Sequence, residues 1–320
     1  MRDAMDLEPQ SSVLRTLNQS MSLTNIFVSH ICSTMFLRLP VRLVMLCSIT
    51  LLAACSSVQL AYNNAPLLLQ YQMDSYLDLD DEQEALLAQE LRSFQAWHRK
   101  DELPVYAQTM RQWAAKLDQP RIFTAQELLE KQQQFQQALL IVAERSAYRL
   151  APLVLTLSER QRLQLQASFD ESNAEYAAEN LNNPEAASAE RLERFSERYE
   201  DWLGSLTQEQ EQILAGWLAQ QPSRAKLWGQ ERIERQKALL QLLANAQDQP
   251  SAQVAATELH NYFQSLSRYR VAELQVDREA RLQSLAELTA SMLNSMTDKQ
   301  RRHLQQRLLT YAGDFEALSQ

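Results

Sequence analysis

Glycine is almost missing from this chain: four occur in 320 residues, at positions 204, 216, 229 and 313. Glycine supplies the positive φ that hairpin turns and phosphate-cradling loops demand. A turn-rich β fold or a glycine-rich nucleotide loop therefore has little to be built from. Gln, Leu, Ala, Glu and Arg dominate instead, and all of them are good helix formers. Apolar residues recur at steps of three, four and seven, as in Leu87, Leu91, Phe94; Leu128, Phe135, Leu139, Val142; Leu192, Phe195, Tyr199, Trp202; Leu259, Phe263, Leu266; and Leu304, Leu308, Tyr311, Phe315. That spacing lines one face of a helix, and no comparable stretch alternates with period two. The expected fold is all-α, a multi-helix bundle of about eight helices read from this periodicity.

The helix starts repeat one pattern. Leu79-Asp80-Asp81-Glu82-Gln83, Leu157-Ser158-Glu159-Arg160-Gln161, Leu206-Thr207-Gln208-Glu209-Gln210 and Met296-Thr297-Asp298-Lys299-Gln300 each read apolar, short oxygen side chain, two polar residues, Gln. This is capping-box chemistry, in which the short side chain accepts from the third residue's amide and the glutamine reaches back to the cap. Registering Gln83 on Gln210 lays Leu86, Leu87 and Leu91 over Ile213, Leu214 and Leu218; registering Gln161 on Gln300 lays Leu165, Phe169 and Tyr176 over Leu304, Leu308 and Phe315. Two related four-helix halves, 80–204 and 205–320, would explain this, as would plain reuse of a good cap. Pro104, Pro120, Pro152, Pro184, Pro222 and Pro250 mark breaks or kinks, and 180–188 is the most loop-like stretch.

Near the N-terminus, Arg38 and Arg42 precede an apolar run from Leu43 to Leu52 that ends in Leu52-Ala53-Ala54-Cys55. About ten apolar residues make a signal-peptide core, whereas spanning the bilayer takes about 20. Leu-Ala-Ala-Cys resembles the lipobox of bacterial lipoproteins, which implies cleavage before Cys55 and attachment of diacylglycerol to its thiol. Ser56 after the cysteine fits sorting to the outer membrane of a Gram-negative cell, with the chain on its periplasmic face. On this reading residues 35–54 are the signal peptide, and residues 1–34, which carry Asp3, Asp6 and Glu8, are an upstream extension that is disordered or not translated. Of Cys32, Cys47 and Cys55 only the last survives cleavage, so no disulfide, thiol nucleophile or cysteine metal site is expected.

Residues 55–79 would then be the anchor and its tether. Lipoprotein tethers are commonly loose, yet Val58 to Leu79 is apolar enough to pack. A short helix from about Pro66 to Tyr76 is expected, proline suiting a first turn. It would hold the body close to the bilayer, or else Leu67, Leu68 and Tyr71 would cover one edge of the core.

Cys55, Leu60-Ala61-Tyr62-Asn63-Asn64, Leu79 to Gln83, Trp97-His98-Arg99, Leu103-Pro104 and Tyr106 together resemble a family of proteobacterial lipoproteins of unknown function. The resemblance implies an all-helical lipoprotein and carries no activity. Separately, the Leu-Thr-x-x-Gln boxes are similar to those of small periplasmic stress chaperones, which implies a holdase as an alternative.

Little else suggests chemistry. A net charge of −9 without a basic block argues against nucleic acid. His98 and Glu102 share a four-residue spacing seen in some metal pairs, but Arg99 and Lys100 suit a helix C-terminus, Asp101 a cap for the next helix and Pro104 its first turn. His260 and His303 stand alone, and Arg191, Arg194 and Arg198 interleave with Glu193 and Glu197 as solvated ion pairs. Among five tryptophans, Trp202 falls on a core stripe, while Trp217 and Trp228 make a speculative interaction patch. The reading is a non-enzymatic protein without metal or cofactor, held to the membrane by lipid on Cys55. It would bind another envelope protein; an envelope-remodelling hydrolase would need a buried polar constellation that is not visible here.

Overall fold

The computed structural model describes residues 57–182, 184–248 and 251–320, and helix follows helix through all of them. They are α1 Ser57–Leu77, α2 Asp81–Trp97, a π-helical turn His98–Glu102, α3 Leu103–Lys116, α4 Ala125–Thr156, α5 Glu159–Asn180, α6 Pro184–Leu203, α7 Gln208–Ala219, α8 Ala225–Asp248, α9 Ala252–Ser265, α10 Ala272–Val276, α11 Arg278–Asn294 and α12 Asp298–Leu318. Among the described residues there is no strand, and the chain is an all-α bundle with more segments than the periodicity suggested. The surplus comes from short pieces such as the five-residue α10, too brief to show a period.

All four capping boxes form, at Asp80, Ser158, Thr207 and Thr297. Their glutamines also pair across the structure. Gln83 and Gln161 are buried, and each side-chain amide donates to the other's oxygen, at 3.2 and 2.5 Å. Gln210 and Gln300 do the same at 3.2 and 2.7 Å. Each amide also donates to the backbone carbonyl five residues before its partner: Gln83 to Thr156, Gln161 to Asp78, Gln210 to Ser295 and Gln300 to Ser205. Every oxygen further accepts from its own cap's N–H, so the buried amides are satisfied on both sides. The turn between α1 and α2 is thereby tied to that between α4 and α5, and the turn between α6 and α7 to that between α11 and α12.

An apolar core gathers around each pair. Leu77, Leu87, Leu153, Leu165, Leu243 and Leu259 make one; Leu203, Leu214, Leu288, Met292, Leu304 and Leu308 make the other. Residues in register across the two boxes take equal roles, Leu87 and Leu214 being fully enclosed. Packing repeats too: α1 lies on α2 and α5 as α6 lies on α7 and α12, and α5 carries α8 as α12 carries α3. The two sequence halves nevertheless interlock, since α3 packs on α12 and α9 on α4, and each core draws on both. The described residues, from Ser57 to Gln320, belong to one compact unit.

Three local expectations need correction. The helix after the anchor runs over Ser57–Leu77 and carries Pro66 in its interior, not in its first turn. Within the loop-like stretch 180–188, α5 already reaches Asn180 and α6 opens at Pro184, as an initial proline can. On α4, Phe135 and Leu139 of the supposed core stripe are 65% and 49% exposed, while Ala147, Ala151, Leu153 and Val154 are buried. Ala147 and Ala151 share a core with Ala255 and Ala256 of α9; small residues let two helices approach closely, which turns the bulky stripe outward. The extension 1–34, the signal segment 35–54 and Cys55 lie outside the described residues.

Candidate functional site

Two sequence features that stand apart in the chain, Leu60 to Asn64 and Trp97 to Tyr106, meet in space. Pro66 begins the explanation. It has no N–H, so the carbonyl four residues earlier, that of Tyr62, loses its helical donor. The Gln95 side chain of α2 supplies one at 2.6 Å. Beside it, the Tyr62 hydroxyl and His98 Nδ1 are 2.8 Å apart, and Arg99 donates to Asn63 Oδ1 at 2.5 Å and to the Leu318 carbonyl at 3.0 Å. The guanidinium also lies over the Tyr62 ring, 5.2 Å from its centre. Its charge thus sits at the negative end of α12 while holding α1. Gln59 donates to the buried Asp314 of α12 at 2.9 Å, which closes the clamp. Three elements, α1, the α2–π–α3 rod and the end of α12, are pinned together.

The π turn puts His98 and Arg99 on this face. Pro104 cannot donate to the carbonyl of residue 100 and its ring would crowd it, so the chain widens, with the Leu103 amide reaching back to the His98 carbonyl. The expected arrangement, a helix end followed by an Asp101 cap, is absent: α2 continues through the π turn into α3, and the preceding residue, Glu102, makes no side-chain cap. Aromatic rings surround the imidazole, with Tyr62 at 5.7 Å, Phe94 at 6.0 Å, Trp97 at 6.1 Å and Tyr106 at 5.6 Å. Burial lowers the His98 pKa, with the Glu102 charge pulling the other way. Burial pushes the Tyr62 hydroxyl up to about 12 against the opposing charge of Arg99. Tyr106 is pushed up as well, by burial, then by the charge of Glu102 and a hydrogen bond to it, then by Tyr62. With the imidazole proton on Nε2, Nδ1 accepts from the Tyr62 hydroxyl, which burial keeps protonated.

Trp217 and Trp228 sit in different surroundings. Trp217 donates to the Ser284 hydroxyl at 2.9 Å and packs on Phe195 in the second core. Trp228, 37% exposed, meets Tyr269 edge-on at 5.1 Å, and Arg281 lies over both rings at 5.5 and 5.1 Å. Gly229 brings α8 close to the Tyr176 ring, where an added Cβ would lie 3.1 Å away. The His303 ring packs beside Gly204, and His260 Nδ1 is buried without a hydrogen bond. Among the described residues no group of three or more His, Cys, Asp or Glu could hold a metal ion, and no helix is long and apolar enough to cross a membrane. An open groove of about 480 Å³ runs between α4 and α11, lined by Leu129, Gln132, Gln136, Arg278 and Leu282 among others.

Sequence reasoning singled out Tyr62, His98 and Arg99 but missed Gln59, Gln95 and Asp314. The usable signal was Pro66, whose placement in an apolar helix frees one nameable carbonyl. Comparison of the chain with curated proteins and with solved structures gave no match. The model of a family of unknown function (DUF6279) does match, over residues 75–267, a span that takes in α2 through α9 and the His98 turn, and the chain belongs to that family.

Proposed function

We propose that this protein is a lipid-anchored scaffold of the bacterial envelope, acylated on Cys55 and held at the periplasmic face of the outer membrane, where its helical body binds another envelope protein. The observation that carries this reading is the missing tether. Helix α1 starts at Ser57, two residues after Cys55, and the clamp of Gln59, Tyr62 and Asn63 on Asp314, His98 and Arg99 joins it to the body. A lipid on Cys55 would therefore set the position of the whole body against the bilayer, which suits a scaffold more than a freely swinging enzyme. The test is metabolic labelling with palmitate and fractionation. Wild type should incorporate label and float with outer membranes, and Cys55→Ser should do neither; a Cys55→Ser protein that matures at the same site and stays with membranes overturns the reading.

A second reading, a holdase for envelope proteins, is favoured by the apolar residues that α4 leaves in the open, Phe135, Leu139 and Ile141, the last 50% exposed. Unfolded clients bind such surfaces. It predicts suppression of client aggregation near equimolar dose, lost in Phe135→Ser/Leu139→Ser, whereas a discrete partner would appear as a defined photocrosslink from these positions or from Trp228.

A further inference from the structure

Helix α1 carries a second face, opposite the clamp. Leu60, Leu67, Leu68 and Tyr71 follow one another at steps of seven, one and three, which places them on one side of the helix. They are 63%, 65%, 56% and 66% exposed. From Ser57 to Met73 the helix holds no Asp, Glu, Lys or Arg. An exposed helix face in water is ordinarily charged, and this one is uncharged, with three leucines and a tyrosine around the single polar side chain of Asn64.

The chain leading into α1 says what covers it. Leu60 is five residues beyond Cys55, about 7.5 Å along a helix, and Tyr71 about 24 Å. The sequence ahead of Cys55 is the apolar run from Leu43 to Leu52. Whether that run is cut away and replaced by acyl chains on Cys55 or stays attached, an apolar group would stand immediately ahead of the helix. We infer that α1 is an interfacial helix that lies in the headgroup layer of the membrane holding the protein, with Leu60, Leu67, Leu68 and Tyr71 turned toward the acyl chains and the clamp residues turned toward the body. This rests on the lipid-anchor reading for what brings the helix to the surface, while the apolar face is a separate observation. The diacylglycerol of a lipidated Cys55 would already hold the protein to the bilayer with two chains, so the helix would fix how the body is oriented at the surface and add buried apolar area to the attachment. Tyrosine suits the headgroup level, having an apolar ring and a polar tip. With no basic residue on the helix before Asp74, binding needs no anionic lipid.

The experiment is depth measurement by spin labels on the full chain produced in cells, in a Cys32→Ser/Cys47→Ser background. Single cysteines replace Leu67, Tyr71, Glu193 or Glu197, the parent that keeps only Cys55 is labelled in parallel so that the signal of any free Cys55 thiol can be subtracted, and the protein is reconstituted in vesicles of phosphatidylethanolamine and phosphatidylcholine, with palmitate incorporation scored on the same preparations. Labels at 67 and 71 should collide several-fold less with a water-soluble nickel chelate, and more with oxygen, than labels at 193 and 197. Accessibility at 67 and 71 equal to that at 193 and 197 overturns the inference while leaving a palmitate-labelled anchor intact. Protection without palmitate supports the helix and overturns the acylation. Spin–spin broadening at 71 that vanishes on dilution with unlabelled protein would assign the face to a second copy and overturn the inference.

Discussion

Helices α1 and α6 hold equivalent places, each ending against a glutamine pair, yet they turn opposite surfaces outward. Both end in a leucine of the core, Leu77 and Leu203, followed by a residue with positive φ, Asp78 at 51° and Gly204 at 78°. With these ends superposed, Met73 and Tyr76 fall on Tyr199 and Trp202, all four part-buried against a core. On the outer side Leu67, Leu68 and Tyr71 fall on Glu193, Arg194 and Glu197, and all six are exposed. One backbone position thus carries an apolar patch in one copy and a solvated charged face in the other. Folding alone asks nothing different of the two outer faces, so the difference between them reports what each faces. The inner sides differ as well: α6 is held by Phe195, Tyr199 and Trp202, whereas the first half of α1 is held by the polar clamp.

The equivalence breaks or stands most sharply at the glutamines. Gln161 holds the carbonyl that follows α1, and Gln300 the one that follows α6. Replacing either with alanine strips a capping box, removes both hydrogen bonds to the partner glutamine and takes the donor from a backbone carbonyl, for a cost of about 2–4 kcal/mol. Chemical denaturation of Gln161→Ala and Gln300→Ala should give losses that agree to within about 1 kcal/mol, and the double variants Gln83→Ala/Gln161→Ala and Gln210→Ala/Gln300→Ala should cost less than the sum of their singles. A large loss at one pair with none at the other would show that only one of the two junctions bears on stability.

Those junctions also mark what could be read from the chain. Each capping box lies within a few residues and rests on local hydrogen-bond geometry, so all four were legible. Their pairing joins residues 78 and 90 positions apart and was not, because no local pattern says which helix start a buried glutamine will meet. The same limit explains α4, where spacing identified a helix but its neighbours, through Ala147 and Ala151, chose the buried face. At the clamp, Tyr62, His98 and Arg99 stood out, while Asp314 and the Leu318 carbonyl, 255 and 219 residues from their partners, had no sequence mark. Pro104 stands in the first turn of α3, as its chemistry suggests, but no gap precedes that helix, because a π turn joins it to α2 and the rod continues.

A smaller effect separates the two helices by how they are held. Arg99→Ala removes the donor to Asn63 and Leu318 and the cation over Tyr62, exposed or half-buried contacts that together stabilise by about 1–2 kcal/mol. Hydrogen exchange should show faster opening of residues 57–70 with little change in α6. Equal protection of α1 in the variant and the wild type would mean that apolar contacts near Met73 and Tyr76 suffice, and that the clamp orients the helix without stabilising it.

The smallest expected effect is a pH dependence confined to α1. Burial lowers the His98 pKa below its ordinary 6.5, Glu102 opposing, so the folded chain binds this proton less readily than the unfolded one. The stability that depends on a neutral imidazole is fully present above 6.5 and is lost as pH falls from there through the lower folded value. Protonation would make Nδ1 a donor facing the Tyr62 hydroxyl 2.8 Å away, which would have to turn round and act as acceptor, while Arg99 adds a like charge beside it. Tyr62 itself, raised to about 12, stays protonated throughout. Exchange of the α1 amides should therefore speed up, after correction for intrinsic rates, on going from about pH 7.5 to about pH 5.5, and His98→Gln should flatten that trend, since its amide does not titrate. The α6 amides of residues 190–198, which precede the end of the helix where the His303 ring packs beside Gly204, serve as the internal control. A trend that survives in His98→Gln would move the titration to carboxylates elsewhere in the bundle and leave the clamp indifferent to pH.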